Sequence, residues 1–192
     1  SLLVGGEDVE ILIVNDGSTK DNTAQIADEY AAKYPTIVKA LHKENGGHGS
    51  TINAGIREAT GKYFKVVDGD DWLNTENLEH FIALLKEHEE DVIASNYLCI
   101  RDESYDIIAE KRVTSDAALY GTVCDMNKGE VKEVIKMHGL TIRTSILKEN
   151  NITIDEKCFY VDAEYIAYPM PFVSSVYYDE EFIYMYRLGR NG

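Results

Sequence analysis

Apolar positions recur along this chain in two alternating rhythms. Val9 to Asn15 and Ile37 to Leu41 are short continuous apolar runs with the length of buried strands, and Tyr63 to Val67 is a third. Between them, Thr23 to Tyr34, and a stretch through Ile52, Ile56 and Ala59 to Thr60, carry apolar residues at helical spacing. Pro35 and Gly61 stop these two helices. Leu78, Phe81, Ile82, Leu84 and Leu85 trace the buried face of another helix. Strand-helix alternation three times over predicts parallel strands joined by right-handed crossovers, and hence a layered α/β domain.

From Asp91 the rhythm changes. Val92 to Tyr97 and Ile107 to Val113 read as strands with no crossover helix between them, which predicts an antiparallel or mixed extension. Glu130 to Met137, Ser145 to Asn150 and Val161 to Tyr168 are expected helices; Val176 to Tyr178 and Phe182 to Tyr186 are expected closing strands. With no linker, repeat or low-complexity tract, residues 1–192 are expected to form one α/β domain with a mixed, mostly parallel central sheet flanked by helices. Ser1 to Gly6 reads as the tail of a helix with its glycine stop, and the chain closes on a glycine-containing turn. Both ends are therefore expected to be cut points in a longer protein.

Composition narrows the partners. At 192 residues, 44% hydrophobic and 28% charged, the chain suits one domain with a substantial core. A formal charge of −15 argues against a broad grip on nucleic acid or anionic lipid, while leaving room for a small anionic ligand held through a metal. Cys99, Cys124 and Cys158 match no zinc spacing and suit a reducing, cytoplasmic setting. No apolar run has the length of a membrane span. The inner face of the membrane stays open through a missing terminal segment.

The chemistry concentrates where the third strand ends. Phe64 to Trp72 is an apolar run that delivers Asp68, Asp70 and Asp71 together, and in open α/β sheets ligands bind beyond the carboxyl ends of the strands. Three crowded carboxylates repel one another, which calls for Mg²⁺ or Mn²⁺ shared with a diphosphate; a solvated turn with Asx caps is the plain alternative. Familiar phosphate and calcium motifs fail here. Gly55 to Lys62 has one residue too many for a P-loop, Ile52 fills the third glycine position of a dinucleotide fingerprint, and Trp72 and Leu73 break an EF-hand.

Four motifs in order resemble those of glycosyltransferase family 2. They are Val14-Asn-Asp-Gly-Ser-Thr19 with Asp21-Asn-Thr23, Lys43-Glu-Asn-Gly-Gly47 with Asn53 and Gly55, Asp68-Gly-Asp70, and Phe159-Tyr-Val-Asp-Ala-Glu164. The resemblance implies a GT-A fold with a nucleotide-sugar-binding half over 1–97 and an acceptor-binding half over 98–192. It also implies inverting, metal-dependent transfer from a nucleotide-sugar, a UDP-sugar by family habit, to a saccharide or lipid-linked saccharide in cell-surface polysaccharide synthesis. By the same resemblance Asp16, Asn45 and Asp68 contact the donor, Asp70 with Asp68 holds Mg²⁺ or Mn²⁺, and Asp162 is the catalytic base. Val161 stands where the family often has Glu, which leaves Glu164 as the reserve.

Other readings stand beside these. A sugar-nucleotide nucleotidyltransferase would use a related sheet and metal, but its glycine-rich basic opening loop is not visible; an acidic sugar- or calcium-binding module would keep the fold without turnover. His48 and His138 are open between phosphate or acceptor contact and a structural part. Arg187 and Arg190 are placed for a diphosphate only if a closing loop brings them in, and the tyrosines from Tyr160 to Tyr186 suit either sugar stacking or strand propensity.

Overall fold

The computed structural model describes residues 1–189, so the expectation for Arg190 lies outside the described residues. The first half alternates as expected: β1 (Ile11–Asn15), α1 (Thr23–Lys33), β2 (Val38–His42), α2 (His48–Glu58) and β3 (Tyr63–Phe64), then β4 (Trp72–Leu73) and α3 (Thr75–Glu87). Asn74 caps α3 by accepting from the Glu76 amide at 3.1 Å, which fixes the helix directly behind the acidic loop. The second half comprises β5 (Val92–Arg101), β6 (Ile107–Lys111), β7 (Val123–Asp125), β8 (Leu140–Arg143), α4 (Thr144–Glu149), α5 (Val161–Ala167) and β9 (Ser175–Leu188).

The α/β architecture with a mixed sheet between helices is as expected, but the balance within the sheet differs. β1 and β2 form a parallel pair apart from a seven-stranded sheet of order β3-β8-β5-β9-β4, with β6 on β5 and β7 on β9. Among the described residues only β1–β2 and β5–β9 pair in parallel. Among the described residues a short loop accounts for one antiparallel pair, β5–β6; the others, β3–β8, β4–β9, β5–β8 and β7–β9, join strands remote in the chain.

β5 is the spine. It is buried along nearly its whole length, with Val92 and Ala94 facing the core under α2, α4 and α5, and Ile93 facing the core under α3. Leu140, Ile142, Val176 and Tyr178 continue the first core, and Leu78, Phe81, Ile183 and Tyr184 the second. The two expected closing strands are one strand, β9, whose register shifts opposite Ser95 to Tyr97. Buried Asn96 holds that bulge: its amide donates to the Glu180 carbonyl at 2.7 Å, and its oxygen accepts from the Val113 amide and the Tyr120 hydroxyl.

The expected helix over Glu130 to Met137 does not form. Ile135 and Met137 are buried while Val134 and Lys136 are exposed, a period of two that a helix cannot satisfy. Glu133 instead accepts from the Ser115 amide at 2.8 Å and Glu130 from the Asp125 amide at 2.7 Å, so the segment is pinned extended. It ends in a 3₁₀ turn, Met137–Gly139, that delivers His138 to the centre of the molecule.

Candidate functional site

Beyond β1 the chain turns at Asp16-Gly17. Gly17 has φ +72°, and a Cβ there would lie 2.9 Å from the Asn45 nitrogen, so the close approach of the two loops requires glycine. The Asp16 carboxylate accepts from Lys43 Nζ at 2.6 Å, from the Gly46 and Gly47 amides at 2.9 and 2.8 Å, and from Ser50 Oγ at 3.2 Å. Asn45 Nδ2 donates to the Asp16 carbonyl at 3.0 Å. Burial opposes ionisation of Asp16, but the hydrogen bonds from Lys43 and the two amides outweigh it and hold the acid below its ordinary range. The structure brings Asp16 and Asn45 together and commits the Asp16 carboxylate to closing the turn before α2.

The second acidic turn is built differently. Asp68 Oδ1 lies 3.1 Å from His48 Nε2, at the first residue of α2. The Tyr184 hydroxyl accepts from the Asp68 amide at 3.1 Å and donates to Asp71 Oδ2 at 2.6 Å, while Asp71 Oδ1 accepts from the Arg187 amide at 2.7 Å. Burial pushes Asp71 up to about 6, with the charges of Asp70 and Asp68 adding to it against those two hydrogen bonds. Asp70 has no hydrogen bond or ion pair among the described residues. The Arg187 guanidinium turns away to Asp102 at 3.2 Å and lies over Trp72.

His138 closes this centre. Its ring sits among Tyr97, Tyr184 and Tyr186 at 5.1, 5.0 and 4.2 Å between centroids, and its Nδ1 is buried without a partner. Burial lowers its basicity. Lys65 pins the turn that carries it, donating to the His138 carbonyl at 2.8 Å and the Leu140 carbonyl at 3.3 Å. Although the residue as a whole is only half-buried, the amine is enclosed beside the Tyr184 ring, and burial brings it down to about 7. A lysine inside the apolar run Tyr63 to Val67 was the sequence signal for this support. Asp68, Asp71 and His138 each present a ligand atom, all within 4.8 Å of one another. Two carboxylates with an imidazole suit Mn²⁺ and, with waters, Mg²⁺. Asp70 is not in that group.

A cleft of about 280 Å³ opens between the acidic turn and the start of α5, where Asp68, His48 and His138 face Asp162 and the aromatic pair Phe159 and Tyr160. Asp162 is exposed at the cleft wall. The bond to Asp68 raises the basicity of His48 against its burial, and the negative charges of Asp68 and Asp162 add to that. Glu164 is turned out of the cleft to accept from the Asp155 amide at 2.8 Å. Asp16, Asn45 and Asp70 do not line the cleft. The histidines could not be placed from sequence because their partners come from strands and loops remote in the chain.

The family model described as Glycosyl transferase family 2 matches residues 1–151. The chain is 33% identical over 192 residues to an uncharacterized glycosyltransferase of Rickettsia prowazekii, RP339, covering 95% of this chain and 55% of that protein. It is 28% identical over 148 residues to the poly(ribitol-phosphate) beta-N-acetylglucosaminyltransferase TarS of Staphylococcus aureus, covering 77% of this chain and 24% of that one. The crystal structure of TarS residues 1–349 with UDP-GlcNAc superposes with a TM-score of 0.69 at 20% identity, over 95% of this chain and 50% of that chain. The chain thus spans about half the length of the first of these relatives, and the fold is the one shared with TarS.

Proposed function

This chain belongs to glycosyltransferase family 2, and from that premise we propose that it carries the donor site and catalytic centre of an inverting, metal-dependent transferase acting on a UDP-sugar. The acceptor in this reading is a hydroxyl of a saccharide or lipid-linked saccharide of the cell surface. The carrying observation is the single cleft lined by both Asp68 and Asp162. The UDP-GlcNAc bound to TarS supports the donor class.

In this reading Asp68 and Asp70 hold Mg²⁺ or Mn²⁺; the ligand atoms that lie within 4.8 Å of Asp68 are those of Asp71 and His138, which are the alternative partners to Asp70. When bound, the cation supplies charge neutralisation for the departing diphosphate. Asp162 accepts the proton of the attacking hydroxyl as that oxygen closes on the anomeric carbon, and attack opposite the leaving group inverts the centre. Asp16 and Asn45 serve the donor through the loop they fix, because the Asp16 carboxylate is already engaged by Lys43, Gly46 and Gly47. Residues 1–97 contribute the donor side and 98–192 the acceptor side, sharing β5 across the boundary.

The test is ligand-dependent melting. UDP should raise the melting temperature only when Mn²⁺ or Mg²⁺ is present, and Asp70→Asn should abolish the shift; equal stabilisation without metal overturns the reading. UDP release across a panel of UDP-sugars then establishes turnover, whereas pyrophosphate made from UTP and a sugar phosphate would identify a nucleotidyltransferase instead.

A further inference from the structure

Phe159 and Tyr160 are 90% and 85% exposed, more than any other large hydrophobic side chain among the described residues, and they adjoin one another at the cleft mouth two residues before Asp162. Adjacent exposed aromatic rings are costly in water and mark a binding surface more often than a random patch does. The loop that carries them is anchored. The Lys157 amide donates to the Gly46 carbonyl at 2.8 Å, the Asp155 amide is held by Glu164, and Asn53 bonds both the amide and the carbonyl of Ile154 at 2.8 Å. Gly49 lets this loop lie directly on α2, since a Cβ there would come within 2.0 Å of the Asp155 carbonyl oxygen. Within it, Lys157 and Tyr160 both have left-handed backbone, φ +57° and +64°, a conformation that costs non-glycine residues energy and here aims the two rings.

We infer that Phe159 and Tyr160 form a platform for the apolar face of a pyranose ring, presenting the hydroxyls of that ring to Asp162. Naming the ring as the acceptor rests on the transferase reading. The surroundings favour a sugar over other occupants. An amphipathic ring needs an aromatic floor with hydrogen-bonding groups beside it, and His48, Asp68 and Asp162 supply the second. The flanking residues Asp155, Glu156 and Lys157 are exposed and charged, so an apolar peptide would find no continuing surface, and the net charge of −15 disfavours a polyanion.

Saturation-transfer NMR on the full chain with millimolar methyl β-D-glucopyranoside tests the platform, alongside UDP–Mn²⁺ melting on the same samples. The expected result is strongest transfer to H1, H3 and H5, which share one face of the ring. Binding should weaken about 3- to 10-fold in Phe159→Ala and in Tyr160→Asn, which tolerates the left-handed backbone, and persist in Phe159→Trp. The UDP–Mn²⁺ shift should be the same in all four proteins. Absent transfer, transfer indifferent to Phe159→Ala, or equal loss of UDP and pyranoside binding overturns the inference. If pyranoside binds in this way while UDP–Mn²⁺ gives no shift, the transferase reading fails and the saccharide platform stands; the reverse result removes the platform alone.

Discussion

Two aspartate turns lie within a few residues of strand ends in this molecule, and they are built to opposite ends. At Asp16 four donors surround one carboxylate, and the acid is held below its usual range. At Asp68 to Asp71 three carboxylates crowd together with two histidines, His48 and His138, beside them, an amide and a tyrosine hydroxyl for support, and Asp71 is pushed up to about 6. The same residue type in the same kind of place is therefore structural when its charge is answered within the fold. Where that charge is left largely unanswered, the transferase reading assigns it a ligand.

That contrast predicts that neutralising a cleft acid costs chemistry, while disturbing the first turn and its joint costs stability. The largest effect is expected at Asp162: Asp162→Asn should lower turnover about 10²- to 10⁴-fold, the usual worth of a general base, with UDP–Mn²⁺ binding unchanged in a melting assay. Next is the joint between the two regions. Gly49→Ala drives a methyl into the Asp155 carbonyl oxygen and should cost about 3 kcal/mol, read in urea unfolding, with pyranoside binding abolished at the same time.

Asp16→Ala removes the carboxylate partner of Lys43, leaving that amine the Glu44 carbonyl and the Ser50 hydroxyl, and unseats two loop amides, for about 2 kcal/mol and a melting temperature lower by roughly 4–8 °C. A loss of turnover with no loss of stability would erase the distinction between the turns. The smallest effect is in pH dependence of the metal-free protein. Asp16 is depressed when folded, so its stabilisation is present above the unfolded carboxylate value and disappears as pH falls through the folded one. Asp71 runs the other way: its folded value of about 6 lies above 3.8, so its contribution is complete below 3.8 and fades as pH rises through 6. Screening at this half-exposed group reduces the span to about 1 kcal/mol, and melting curves from pH 3 to 8 on Asp16→Asn and Asp71→Asn should each remove one slope.

Periodicity located β1, α1, β2, α2 and α3, although α1 buries only Ala27, and it failed from 130 to 137, where Val131, Val134 and Ile135 fall at helical spacing but Val134 is exposed and the buried pair, Ile135 and Met137, lies two apart. The interruption at Asp179 to Glu181 divided β9 in two on paper because the bulge that absorbs it is held by Asn96, more than eighty residues away. In the site, Asp16 with Asn45 and Asp68 with Asp162 were legible as motif residues. The enclosing of His138 by three tyrosines, the engagement of Asp71 by Tyr184, and the diversion of Glu164 and Arg187 were not.

The sequence alone determined the α/β class, the order of the acidic motifs and the residues that carry charge, because strand and helix periods and turn chemistry are written over short windows. Only the tertiary structure decided which carboxylates remain unanswered. That depends on which donors arrive from distant strands, as Tyr184 and Arg187 reach Asp71 from the last strand and Lys43 reaches Asp16 from the loop after β2. A charge is structural or available according to its neighbours in space, and those are set by how the sheet is threaded.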